Sequence, residues 1–303
     1  MLELDFIEID EEKIKKIKDK NINRIYENEE MRIFINENKI PVEFVYAYLS
    51  DFIKILDDKE KCKICQGVNK CKTKGYYFDL EVDIKRHFTN IKFLQCKLLQ
   101  NRNKIKNKFI ICDTDYSFFD YDLKDSLNYF KDDRKLAVAK MAKIIKEELN
   151  TGIYIYGQKG IGKSFILSVF SKLIVSKRDG HFVYINAKNA IPSMIEASFK
   201  DKDAFLDDMD LFKTVDYLFI DNFGEEEKND FSKESIIFEI LSYRKDNNLP
   251  TYFASIYSLN DLFTAYRTPK SGNYRTKELI DIISSTCSVI NIPTSSKVAT
   301  NIF

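Results

Sequence analysis

Tryptophan is absent from the 303 residues and histidine occurs twice, so few positions offer an imidazole for acid–base or metal chemistry. Net charge is lacking too. Lys and Arg number 48 against 47 Asp and Glu, and a formal charge of +1 gives no global attraction for nucleic acid or a membrane surface. Any contact with DNA must then be local. No apolar run approaches the roughly eighteen residues of a membrane span, and Met1-Leu2-Glu3-Leu4-Asp5 has neither the basic nor the apolar region of a secretory signal. A cytoplasmic protein with no membrane partner is expected. In that compartment six cysteines point to metal or free thiols rather than disulfides. Glycine is scarce as well, nine in all, yet three of the nine fall between positions 157 and 162.

That stretch, Gly157-Gln158-Lys159-Gly160-Ile161-Gly162-Lys163-Ser164 followed by Phe165, has the spacing of a phosphate-binding loop. Glycines permit positive φ and a close approach of backbone N–H groups to a polyphosphate, and a helix start adds its positive dipole end. The strand-like Ile153-Tyr154-Ile155-Tyr156 before it and the apolar Phe165 to Phe170 after it supply the context the motif needs. Lys163 is expected to reach the β and γ phosphates of ATP, with the Ser164 hydroxyl on Mg2+. Its counterpart is Val215-Asp216-Tyr217-Leu218-Phe219-Ile220-Asp221, an apolar strand that ends in a carboxylate. At the carboxyl edge of a parallel sheet, Asp221 arrives beside Ser164 as a second Mg2+ ligand. Asn222 stands where a second acid would activate the attacking water, and an amide does not take up that proton. Glu225 and Glu226, just past Gly224, are the nearest replacements.

Strands are expected at 182–186, 217–221, 251–255 and 288–292, interleaved with helices such as 232–243. The fold class is therefore α/β, a parallel sheet covered by helices on both faces. A smaller domain precedes it. Residues 11–58 read as three helical pieces, the third with Phe44, Val45, Tyr48, Leu49, Phe52, Ile53 and Leu56 on one stripe. Alternating segments at 76–82 and 87–94 then read as a hairpin. Cys62 and Cys65 form a knuckle that suits half of a tetrahedral Zn2+ site, with Cys71 and Cys96 favoured for the other half and His87 as the alternative ligand. Buried unligated thiols are the competing reading. A basic run (Arg102, Lys104, Lys106, Lys108) and an aromatic run from Tyr116 to Tyr121 follow, the latter placed against the next domain or near a nucleobase. The expected division is 1–110 as N-terminal domain, 111–132 as linker and 133–303 as ATP-binding domain.

From about Tyr116 onward these residues resemble the AAA+ module of the DnaI/DnaC-type replicative helicase loaders. The resemblance lies in Gly157 to Ser164, in Ile220-Asp221-Asn222-Phe223-Gly224-Glu225-Glu226, in Ile240-Leu241-Ser242-Tyr243-Arg244 and in Leu249-Pro250-Thr251-Tyr252-Phe253-Ala254-Ser255. Through its cysteines the N-terminal half resembles the loader subtype with a zinc-containing helicase-interaction domain. The resemblance implies a primosomal protein that binds ATP and Mg2+, grips the hexameric replicative helicase through residues 1–110, assembles with copies of itself through the AAA+ domain, and places the helicase on single-stranded DNA at replication initiation or restart. It also implies weakened catalysis. Ile256 stands where such loaders carry a sensor Asn, and no Arg lies in 277–283 where they carry a sensor Arg. Arg275 and Arg244 are candidates for a finger that reaches a neighbour's γ-phosphate. Alternative readings are a transposition-helper ATPase of the IstB type, a nucleotide-binding adaptor with little or no hydrolysis, and a small-molecule kinase, for which no lid or acceptor site is evident.

Overall fold

The structure is a computed structural model that describes residues 11–127, 131–267 and 272–293. The signal-peptide reading of positions 1–5 lies outside them. Two compact units emerge, Met1–Asn101 and Arg102–Phe303.

In the first unit α1 (Glu11–Glu27), α2 (Glu29–Glu37), α3 (Val42–Ala47) and α4 (Leu49–Lys63) precede a hairpin of β1 (Tyr76–Asp83) and β2 (Phe88–Gln95). Asn28 caps α2 by accepting from the Met31 N–H at 3.1 Å. The expected third helix breaks at Tyr48, whose backbone leaves the helical region and whose hydroxyl donates to the His87 carbonyl. The apolar stripe is nonetheless the core: Phe44, Val45, Phe52 and Leu56 pack with Ile25, Ile35 and Leu80. The Asp58 carboxylate accepts from the Phe78 N–H at 2.8 Å, which ties α4 to the hairpin edge.

The zinc expectation finds no support in the structure. Among the described residues no group of three or more His, Cys, Asp or Glu side chains is placed to hold a metal ion. Cys62, Cys65, Cys71 and Cys96 do share a neighbourhood, since the last three all act on the charge of the Cys62 thiol. Three of the four sulfurs have local contacts: Cys65 accepts from Gly67 N–H, Cys96 from Leu99 N–H, and Cys71 meets the Thr73 hydroxyl. His87 is excluded as a stand-in by register. Tyr76 pairs with Gln95 and Asp83 with Phe88, so Cys96 lies at the hairpin base and His87 at its tip, roughly 20 Å of strand away.

The unit boundary falls within α5 (Lys97–Lys106), and the second unit is built on a six-stranded sheet. Its strands are β3 (Phe109–Cys112), β4 (Gly152–Tyr156), β5 (Phe182–Asn186), β6 (Tyr217–Phe223), β7 (Thr251–Ser255) and β8 (Cys287–Asn291), in the order β3-β5-β6-β7-β4-β8. Every pairing is parallel. Side chains alternate between two cores, with Ile153 and Ile155 of β4 in one and Tyr154 in the other. On the first face lie α6 (Lys131–Lys146) and α7 (Lys163–Lys177), through Ala137, Met141, Ile166 and Phe170. The second face carries α8 (Ala187–Lys200), α9 (Lys202–Thr214), a π-helical turn at Phe231–Phe238 running into α10 (Glu239–Asp246), α11 (Leu259–Tyr266) and α12 (Gly272–Thr286).

The linker at 111–132 is overturned. Residues 109–112 are the edge strand β3, and the aromatic run folds into a short 3-10 turn with Phe119 buried and stacked on Phe109, ring centres 5.8 Å apart. The chain accordingly divides at 101/102 and not at 110. The basic run serves this unit: Arg102 pairs with Asp120, Lys106 lies 4.3 Å over the Tyr116 ring, and Lys108 donates to the Val175 carbonyl. No helix among the described residues is long and apolar enough to cross a membrane.

Candidate functional site

The carboxyl ends of β4, β5, β6 and β7 converge on the glycine loop. β4 runs into it, the Gly157 N–H donates to Ser255 O at the end of β7, and Asn186 at the end of β5 is in register with Asp221 of β6. The loop needs its glycines. Gly160 and Gly162 have φ near +85°, and a Cβ on Gly162 would strike the Arg134 guanidinium. α7 starts at Lys163, so its free N–H groups open onto the loop.

Lys163 is buried, and its ammonium donates to Gly157 O and Gln158 O, both at 2.8 Å. Burial pushes it below the ordinary lysine range, opposed by the charges of Glu225 and then Asp221. The Ser164 hydroxyl donates to Asp221 Oδ1 at 3.0 Å. Burial raises the Asp221 carboxyl, while bonds from Ser164, the Asn222 N–H and Tyr184 hold it down. Two hard oxygens in contact, one of them a carboxylate, are the donor set that Mg2+ takes alongside phosphate oxygens and water. Ser164 and Asp221 therefore fit the ion that a nucleotide would bring. Phe165 turns from the loop to a small aromatic cluster, edge-on to Phe118 at 5.3 Å and Tyr121 at 5.4 Å.

Three side chains absent from the sequence-based site also belong to it. Arg134 of α6 donates to Ile161 O at 2.5 Å and to Ser126 O at 3.1 Å, bracing the loop from below. Tyr184 of β5 is buried between Ser168 and Asp221 Oδ2. Lys188, in the first turn of α8, pairs with Glu225 at 2.8 Å. No local motif announces any of them; they meet the loop only through the sheet order.

Other candidates are placed differently. Asn222 sits within β6 at a break in the β6–β7 register, with φ of 53°. Glu226 is buried with both oxygens engaged, accepting from Gly224 N–H at 2.7 Å and from the Tyr266 hydroxyl. Each oxygen of this carboxylate is thus held by an internal donor, a placement that does not support the catalytic role expected of it. Glu226→Gln presents an amide N–H to one of those donors, so a loss of about 1–2 kcal/mol in urea unfolding is expected. Arg244 is likewise withdrawn as a finger. It is 1% exposed, and its guanidinium is spent on Thr251 Oγ1 and the carbonyls of Phe212, Lys213, Val215 and Pro250. Arg275 is half-exposed at the start of α12, paired with Glu278 and lying 4.6 Å over Phe238.

The family described as the bacterial DnaA ATPase domain matches residues 114–255, which span the glycine loop, Asp221 and β7. The replicative helicase loader DnaI of Bacillus subtilis is 20% identical over 258 residues, covering 79% of this chain and 78% of its own. Over most of its length the chain is therefore similar to a replicative helicase loader. A crystal structure of DnaI superposes with a TM-score of 0.51 at 22% identity, over 59% of this chain and 95% of that one, and so shares the fold of this DnaI relative. YqaM of Bacillus subtilis, uncharacterised, is 27% identical over 142 residues, 45% of this chain and 41% of its own. The AAA+ architecture expected from the loop and the carboxylate strand is the one these comparisons support.

Proposed function

We propose that the chain is an ATP-dependent loader that binds the replicative DNA helicase and places it on single-stranded DNA, with MgATP held at Gly157–Ser164 and Asp221. The observation that carries this reading is the reach of the likeness to DnaI. It covers 79% of the chain, more than Arg102–Phe303 contains, and so extends into the N-terminal unit. In this reading the N-terminal unit grips the helicase, and copies of the second unit assemble around DNA in the cytoplasm. Lys163 exchanges its two carbonyl partners for phosphate oxygens, Ser164 and Asp221 separate to take the metal, and Arg275 supplies the charge that reaches a neighbour's γ-phosphate.

A second reading, a nucleotide-gated adaptor with little turnover, is favoured by the end of β7. The Ser255 hydroxyl is committed to Phe223 O at 2.7 Å, and Ile256 has no polar side-chain atom to sense a phosphate. Affinity capture of the purified cognate replicative helicase by the full chain tests the loader. Association that is stronger with MgATP than without nucleotide is expected, and no association under either condition removes it.

A further inference from the structure

Resting on the nucleotide-binding reading above, we infer that Glu225 is the carboxylate that accepts a proton from the attacking water, and that Lys188 positions it. The site has lost its ordinary base to Asn222, and the fold supplies the substitute. The register of β6 against β7 shifts between Ile220 and Phe223, so Asn222 lies in an irregular part of the strand. The chain then turns back. Glu225 N–H donates to Asn222 O at 3.0 Å, and Gly224 takes φ of 84°, a conformation made possible by the missing Cβ. This turn returns Glu225 to the carboxyl edge of the sheet while its neighbour Glu226 points into the core.

Elimination leads to the same residue. The carboxylates whose charge acts on Lys163 are Glu225 first and Asp221 second. Asp221 is committed: Oδ1 accepts from Ser164 and from Asn222 N–H, and Oδ2 from Tyr184. Glu225 instead has a side chain 13% exposed, accessible to a water, and is met by Lys188 at 2.8 Å. Lys188 is fixed in turn. Asn186 caps α8 by accepting from the Lys188 N–H at 3.1 Å, and Asn186 is in register with Asp221. The ammonium sets the Glu225 rotamer and offsets a negative charge that would otherwise repel the incoming polyphosphate.

In the step assigned to it, a Glu225 oxygen takes one proton from water as the water oxygen bonds to the γ-phosphorus. The bond from the γ-phosphorus to the β–γ bridging oxygen breaks, and its electron pair leaves with ADP. The products are ADP and inorganic phosphate, with the proton passing from Glu225 to solvent.

The test is single-turnover hydrolysis of MgATP by the full chain, alongside direct binding of a fluorescent ATP analogue. Glu225→Gln is expected to slow hydrolysis about 10²-fold or more, the usual span of a general base, with analogue affinity within about threefold of wild type. Lys188→Met, which leaves the carboxylate but frees it, is expected to slow hydrolysis about tenfold and to weaken MgATP binding as well. Asn222→Asp gives no increase, because the base is already present. A Glu225→Gln rate equal to wild type overturns the assignment, as does a wild type that binds MgATP without hydrolysing it. A wild type that binds no nucleotide overturns this inference together with the reading beneath it.

Discussion

Lys163→Ala is expected to weaken MgATP binding by about 10²-fold or more while the fold, followed by circular dichroism, stays intact. The lysine sits at 8% exposure between a carbonyl cradle and two carboxylates, Glu225 and Asp221. A charge-assisted hydrogen bond contributes about 1.5–3 kcal/mol, so the loss of two to phosphate oxygens comes to roughly 3–6 kcal/mol. Each 1.4 kcal/mol is about a factor of ten, which sets the lower bound of the effect. The variant also leaves Glu225 and Asp221 facing the polyphosphate without their compensating charge. Lys163→Arg offers no rescue, because a planar guanidinium does not fit a cradle shaped for a compact ammonium. Fluorescence titration with a labelled ATP analogue reads the outcome. Affinity within threefold of wild type would mean that the loop is a turn between strand and helix and not a phosphate site.

What the sequence made legible follows a physical line. Buried parallel strands are near-continuous apolar runs bounded by polar residues, so β5 and β7 stand where 182–186 and 251–255 were read, and β6 runs on to Phe223 beyond the expected Asp221. The glycine loop was legible because its chemistry is local: spacing, positive φ and helix start all lie within eight residues. β3 escaped, and the reason is instructive. Phe109–Cys112 is four residues long and follows a basic run, so nothing in its own sequence distinguishes an edge strand from a loop; its pairing with β5 lies far along the chain. The same holds for the charged residues after Asp221. Asn222, Glu225 and Glu226 are all visible in the sequence, but where each side chain goes depends on a register shift against β7 and a turn at Gly224, neither of which a single strand's pattern encodes. The cysteines are the opposite case. A two-residue spacing on a turn is a local signal that carries no information on whether the remaining thiols close on the same point.

Arg244→Ala is expected to destabilise the second unit by about 3–5 kcal/mol, the largest loss of folding stability among the replacements considered. The guanidinium of Arg244 binds the end of α9 at Phe212, Lys213 and Val215 to the start of β7 at Pro250 and Thr251. Four carbonyls lose their charged donor on truncation, at about 1–3 kcal/mol for each buried group left unsatisfied, less what water entering the cavity restores. Arg244→Lys does not repair it, since three donors on one nitrogen cannot span five acceptors on two elements. Burial lowers the proton affinity of the guanidinium, and the ring of oxygens holds it charged. Urea unfolding checks the magnitude. Arg275→Ala is the matching control: its side chain is 49% exposed, its partner Glu278 is one helical turn away, and such contacts contribute less than about 1 kcal/mol. The two arginines therefore separate along two axes. Arg244→Ala lowers the unfolding midpoint with or without nucleotide, whereas Arg275→Ala leaves it in place and reduces nucleotide-dependent self-association. The reverse pattern, a stable Arg244→Ala that no longer assembles, would return Arg244 to the interface between subunits and require the buried clamp to open on assembly.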